Sequence, residues 1–103
     1  MIRHFVLLRF RADVSAETKS GLYEELARLR DHLPGIVDFQ CGSNVSVETE
    51  LIRGNHDAFW VDFADENARD EYLRDHKHQA VGARIVAHTI GGIDGVTVVD
   101  LQF

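Results

Sequence analysis

Residues 2–11 read Ile2-Arg3-His4-Phe5-Val6-Leu7-Leu8-Arg9-Phe10-Arg11, and the way this run is taken decides the fold. It holds no helix punctuation, is rich in aromatic and aliphatic side chains, and is too apolar on both parities for a strand wetted on one side. It predicts a strand covered on both faces. Side chains alternate across a strand, so Ile2, His4, Val6, Leu8 and Phe10 share one face and Arg3, Phe5, Leu7, Arg9 and Arg11 the other. One imidazole, His4, therefore points into an otherwise apolar row. Burying it unpaired would cost on the order of 1–3 kcal/mol, so a partner is expected elsewhere in the chain.

Outward from this strand, Ser15 is placed to cap a helix whose Leu22, Leu26, Leu29 and Leu33 recur at helical spacing, and Pro34-Gly35 ends it. Gly21 falls inside that helix, where it costs about 1 kcal/mol relative to alanine. Residues 36–47 carry β-favouring side chains, with Gly42 as the expected bulge, and the polar stretch 48–55 reads as a loop. Residues 56–64 predict the next strand, with His56, Ala58, Trp60, Asp62 and Ala64 on one face and the more apolar Asp57, Phe59, Val61 and Phe63 on the other. Asp65-Glu66 opens a short helix with Ala68, Tyr72 and Leu73 on one side. The run Asp75-His76-Lys77-His78-Gln79 breaks or kinks it. A second helical piece runs through Val81, Ile85 and Thr89 to Gly91-Gly92, and residues 93–103 form a last strand.

The order β-α-β-β-α-β predicts the split βαβ arrangement of the α+β class: a four-stranded antiparallel sheet with the helices on one face. The other face then lacks a cover. Phe5, Leu7, Phe59, Val61 and Phe63, together with the apolar tail 96–103, are too greasy for solvent, and a homodimer packing two sheets face to face is the economical solution, with either parity of the strands free to meet the helices.

Composition bounds the function. With 103 residues, 45% of them apolar, and a single proline, residues 1–103 are expected to form one folded domain. A chain of this size buries roughly 65% of its unfolded surface, which makes a deep site easier to build with a second copy. Eleven Lys and Arg against 17 Asp and Glu leave a net charge of −6, a field that repels phosphate backbones and anionic lipid, so neither nucleic acid nor membrane is expected as a partner. The longest run of large apolar side chains, Phe5 to Leu8, is far short of the ~20 residues a bilayer demands, and no signal-peptide core opens the chain. A cytoplasmic protein is the expectation. Cys41 stands alone, which rules out an intrachain disulfide, and a structural zinc site would have to use histidine and carboxylate almost entirely. No metal and no cofactor are expected.

The strong catalytic motifs are silent. Gly91-Gly92-x-x-Gly95 follows a helix rather than a strand, the wrong order for a phosphate-binding turn. His76 and His78, two apart, would lie about 200° apart on a helix and could share an ion only in an extended segment. His32 suits the C-terminal end of the first helix, where an imidazole complements the dipole, and His88 carries no signal. Tyr72 and His78 would sit about 240° apart on a continuous helix, but a break at 75–77 brings both toward one pocket. There a histidine could remove a proton beside a carbonyl while the tyrosine donates to the developing oxyanion.

Several pieces then fall into a known order. The opening Met1-Ile-Arg-His-Phe-Val-Leu-Leu-Arg-Phe10, the helix ending Leu33-Pro34-Gly35-Ile36, the Gly42-x-Asn44-Val45-Ser46 element, Asp62-Phe63 before an acidic helix, Glu71-Tyr72-Leu73 followed by His78-Gln79-Ala80, and the closing Val98-Val99-Asp100 resemble the stress-responsive A/B barrel domain over nearly the whole chain. The resemblance implies a ferredoxin-like protomer, an obligate homodimer closing a dimeric α+β barrel, and a pocket between sheet and helices. It also implies a link to a plant polyketide cyclase of that family, which performs an intramolecular aldol cyclisation without a cofactor, using a histidine and a tyrosine. On this chain the family's strand-one histidine falls on His4, its helix tyrosine on Tyr72 and the following histidine on His78. The family's His-Pro-x-His is here Asp75-His76-Lys77-His78, and the cyclase's third-strand histidine falls on Asp57, with His56 one residue out of phase.

The expectation is a small homodimeric protein whose pocket binds a small apolar, phenolic or carbonyl ligand, with any activity left open. The alternatives are a cofactor-free cyclase or lyase with His78 as base, Tyr72 as oxyanion donor and His4 shaping the pocket, and a cofactor-independent monooxygenase with Trp60 and the histidines lining the cavity.

Overall fold

A computed structural model describes all 103 residues. Strand β1 spans Ile2–Leu8, helix α1 Ala16–Arg28, strand β2 Ile36–Ser43 and strand β3 Asp57–Phe63; helices α2, Glu66–Arg74, and α3, His76–Ala87, precede strand β4, Val96–Gln102. The strands form one antiparallel sheet in the order β2-β3-β1-β4, and the helices cover one of its faces, a ferredoxin-like α+β fold. No helix is long and apolar enough to cross a membrane.

Local chemistry accounts for each boundary. The Ser15 side chain accepts a hydrogen bond from the Thr18 amide, and a short 3₁₀ turn, Leu29–Asp31, tightens the end of α1 before Pro34. Asp65 caps α2 through the Ala68 amide. Asp75 is both the last residue of that cap-to-cap unit and the N-cap of α3, in extended conformation with its carboxylate accepting from the His78 amide at 2.9 Å. A side chain that competes for backbone donors at this point explains why two helices stand where one could.

The strand register decides which row is buried. His4 pairs with Val61 and Val6 with Phe59, so Ile2, His4, Val6 and Leu8 share the helix side with Phe59, Val61 and Phe63. This register settles the parity that alternation leaves open, and Phe59, Val61 and Phe63 do not belong to the uncovered face with Phe5 and Leu7. They complete the core beneath Leu22, Leu26, Val81 and Ile85. The uncovered face carries Arg3, Phe5, Leu7, Ala58, Trp60 and Asp62, extended by exposed Val99, Leu101 and Phe103. At its centre the Arg3 guanidinium donates to both carboxylate oxygens of Asp62, at 2.8 and 2.9 Å, and lies 4.7 Å from the Trp60 ring centre. A charge held this way can sit among aromatics without standing free.

Two further expectations are revised. The second strand stops at Ser43 rather than running to residue 47, because Asn44, Ser46 and Glu48 fold into side chain-capped turns. The irregularity in β2 lies between Ile36 and Asp38, at exposed Val37, and not at Gly42.

The glycines of α1 and of the turn before β2 should respond oppositely to alanine. A Cβ on Gly21 meets nothing within 4 Å, so Gly21→Ala should stabilise the protein by about 1 kcal/mol in urea melts. A Cβ on Gly35 would lie 2.4 Å from the Ala68 Cβ, so Gly35→Ala should destabilise by about 1–3 kcal/mol. Equal effects at the two positions would contradict the packing of that turn on α2.

Candidate functional site

The break at Asp75 is what assembles the site. Tyr72 lies in the last turn of α2 and His78 in the first turn of α3, and the change of direction between them stacks their rings with centroids 3.9 Å apart. His4 rises from β1 to meet them, its ring edge-on to Tyr72 at 5.9 Å. All three line a cavity of about 300 Å³ between the helices and the sheet, whose other walls include Val6, Leu26, Phe59, Ile85, Val96 and Val98. The three residues expected from the sequence are thus brought together. A wider groove of about 410 Å³ between α1 and α3 is lined by Glu25, Arg28, Asp31, His32, Lys77 and Arg84, and contains none of them.

Polar groups in this cavity divide into paired and unpaired. His4 has the partner its burial demands: Nδ1 lies 2.6 Å from Asp100 Oδ1 on β4, and the other carboxylate oxygen of Asp100 accepts from Arg69 Nη1 of α2 at 3.1 Å. Tyr72 Oη and His78 Nδ1 are buried and have no hydrogen-bond partner in the chain. An unsatisfied buried donor or acceptor costs about 1–3 kcal/mol, and these two belong to adjoining side chains that line one largely apolar cavity.

Other expected residues lie elsewhere. Asp57 faces the helices but pairs with Lys19 Nζ at 3.0 Å and does not line the cavity, while His56 is exposed. Trp60 sits on the uncovered sheet face, opposite Phe5 in the register, so it cannot line the cavity as a monooxygenase reading requires. His32 is not simply a dipole partner, since Nε2 lies 2.8 Å from Asp75 Oδ1 and ties α1 to the helix break. His88 Nδ1 bonds to the Arg84 carbonyl at 2.6 Å, and the helical His76 is exposed and does not line the cavity. No group of three His, Cys, Asp or Glu side chains is disposed to hold a metal ion. Sequence reasoning gave Asp100 no role. Its signal was available: it shares a strand parity with Val96 and Val98, making it an acid in an inward-facing row, just as His4 is an imidazole in one.

Electrostatics set what each group can do. Burial pushes the Tyr72 phenol well above its usual range, so it stays a protonated donor. Burial, helped by the nearby His4, pulls His78 down to about 4, against the opposing Asp75 carboxylate and Tyr72 backbone. At neutral pH His78 is an uncharged acceptor. For Asp75, desolvation pushes upward, but the His78 amide and the His32 imidazole outweigh it and hold the carboxyl below its usual value. The sign of the His78 effect on stability follows from which state binds the proton first. The unfolded chain protonates near 6.5 and the folded one near 4, so stability is full above pH 6.5, declines as pH falls from there toward 4, and levels off below. His78→Gln should flatten that part of the profile, and proton NMR of the His78 ring should show a midpoint near 4; a midpoint near 6.5 would mean the ring is solvated.

Comparisons with known proteins agree with the fold. The chain matches the family model described as the stress responsive A/B barrel domain over residues 2–103. A dimeric ferredoxin-like protein of unknown function from Jannaschia sp. CCS1 superposes with a TM-score of 0.90 at 29% identity, covering 99% of this chain and 98% of that one. The protein At3g17210 from Arabidopsis thaliana gives a TM-score of 0.87 at 25% identity, covering 100% and 95%. The hydroxynitrile lyase from Passiflora edulis shares the fold, with a TM-score of 0.82 and coverage of 99% and 92%, at 13% identity. Among curated proteins, none matches this chain in sequence. With the family model aligned to all but the first residue, the chain belongs to the stress responsive A/B barrel domain family.

Proposed function

We propose that this chain is a cytoplasmic homodimer, joined through its uncovered sheet faces into an α+β barrel, in which each protomer binds one small organic molecule bearing a hydroxyl or carbonyl group. The observation that carries the ligand is the pair of buried, unpartnered atoms Tyr72 Oη and His78 Nδ1 beside an otherwise apolar cavity. Its volume of about 300 Å³ is at the low end for small-molecule sites, which suits a single substituted ring. The dimer is supported by apolar Phe5, Trp60, Val99, Leu101 and Phe103 on one sheet face, and by relatives described as dimeric. The net charge of −6 and the lone cysteine favour a cytoplasmic protein that binds neither nucleic acid nor membrane.

A second reading, cofactor-free proton transfer at a carbonyl with Tyr72 as oxyanion donor and His78 as base, is favoured by the protonated phenol and the bare imidazole meeting in one cavity. Efficient bases have values near the working pH, and His78 at about 4 is a weak one, so binding is the function the geometry supports best.

One probe separates the two. With 4-hydroxyacetophenone in D₂O, amide shifts should move at Tyr72, His78 and Gly82, with no deuterium entering the methyl group faster than in buffer. Gly82→Ala places a methyl 3.9 Å from His78 Nε2, in the cavity; it should keep the fold and weaken binding. Deuterium exchange that wild type accelerates and Tyr72→Phe abolishes would establish the second reading. Shifts confined to the outer sheet face would refute both. For the assembly, light scattering should give twice the chain mass of 11.6 kDa, and Leu101→Glu should halve it; a wild-type monomer at micromolar concentration would refute the dimer.

A further inference from the structure

The Asp100 contact decides which hydrogen-bonding character His4 offers to the cavity. A neutral imidazole has one N–H and one bare nitrogen, and the nitrogen that keeps the proton is set by what the other atoms around the ring accept. Here Nδ1 faces a carboxylate oxygen at 2.6 Å, and a carboxylate can only accept. Nε2 makes no hydrogen bond within the chain, in a ring that lines the cavity. Asp100 is itself held: Arg69 donates to its second oxygen at 3.1 Å and, through Nε, to Asp70 at 3.0 Å, so the carboxylate is fixed from α2 while it reaches the ring from β4.

We propose that Asp100, anchored by Arg69, is the positioning residue that keeps the His4 proton on Nδ1 and presents the bare Nε2 lone pair to the cavity. Resting on the ligand reading, this sharpens the class of molecule. Tyr72 supplies a donor and His4 an acceptor, so the preferred occupant carries a hydrogen-bond donor as well as an acceptor: a phenol, enol or hydroxy-ketone rather than a simple ketone. The arrangement also predicts what a single isosteric change does. In Asp100→Asn the Arg69 N–H still needs an acceptor, which draws the asparagine carbonyl toward Arg69 and turns its amide NH₂ toward His4. Nδ1 must then accept, the ring proton moves to Nε2, and the cavity meets a donor where it had an acceptor.

The test is nitrogen NMR of ¹⁵N-histidine-labelled protein at pH 8, above the ordinary titration range of an imidazole. In the wild type, His4 Nδ1 should resonate as a protonated and Nε2 as a bare nitrogen, and in Asp100→Asn the two should exchange character. Asp70→Asn, which touches only Arg69, should leave the wild-type pattern. Bare Nδ1 in the wild type, or an unchanged tautomer in a folded Asp100→Asn, would overturn the assignment, and the wild-type spectrum decides even where the variant does not fold. The ligand reading is judged separately. Wild type should bind 4-hydroxyacetophenone about tenfold more tightly than acetophenone, the difference one hydrogen bond makes, with the preference falling to about twofold in Asp100→Asn. If the tautomer exchanges but neither ketone binds the wild type, the role of Asp100 stands and the cavity as a ligand site falls.

Discussion

The constraint on which this structure turns is the burial of one imidazole in the inner row of its central strand. β1 is flanked by β3 and β4 and covered by helices, and its inward positions are otherwise Ile2, Val6 and Leu8. His4 in that row obliges a partner, and the partner comes from the neighbouring strand at the one register position that can reach it, Asp100. That acid in turn engages Arg69 on α2. A single polar residue in an apolar row thereby fixes an edge strand and a helix relative to the sheet. It also keeps the cavity beside it from being filled with aliphatic side chains alone.

The second determinant is the one-residue break at Asp75. Its carboxylate caps α3, accepts from the His78 amide and meets His32 of the turn after α1. An aspartate in place of a helix-compatible residue trades helix continuity for two caps and a cross-link. The outcome that matters functionally is the turning of Tyr72 and His78 onto each other. Neither finds a protein partner for its buried polar atom, while the equally buried His4 and Asp62 do. Tyr23 Oη, Asn55 Oδ1 and Trp60 Nε1 are likewise buried without a partner, and what sets Tyr72 Oη and His78 Nδ1 apart is that their two rings stack on each other beside one largely apolar cavity.

Much of this was legible in the sequence. Alternation fixed the two rows of β1, leucine spacing the first helix, and the Asp-His-Lys-His run the break that makes Tyr72 and His78 neighbours. What the sequence could not supply was pairing across the sheet. Phe59, Val61 and Phe63 look alike whether they face helices or a partner, and only the register Val6 to Phe59 places them inside. The same ignorance hid Asp100, whose partner lies 96 residues away in the chain. Residue type alone suits Trp60 to a cavity wall, but the register puts it on the opposite face. Glycine permits a bulge at Gly42, but the chain makes its irregularity at Val37, whose side chain is exposed.

The account's central claim is that Tyr72 Oη and His78 Nδ1 stand unsatisfied by protein so that a bound molecule can satisfy them. The most direct measurement is a crystal structure of the dimer at a resolution that orders single waters. The account predicts density in the cavity, a water or a small organic molecule, within hydrogen-bond distance of both atoms. A cavity closed by side-chain rearrangement, with Tyr72 Oη bonded to a protein acceptor and no density beside His78, would contradict it.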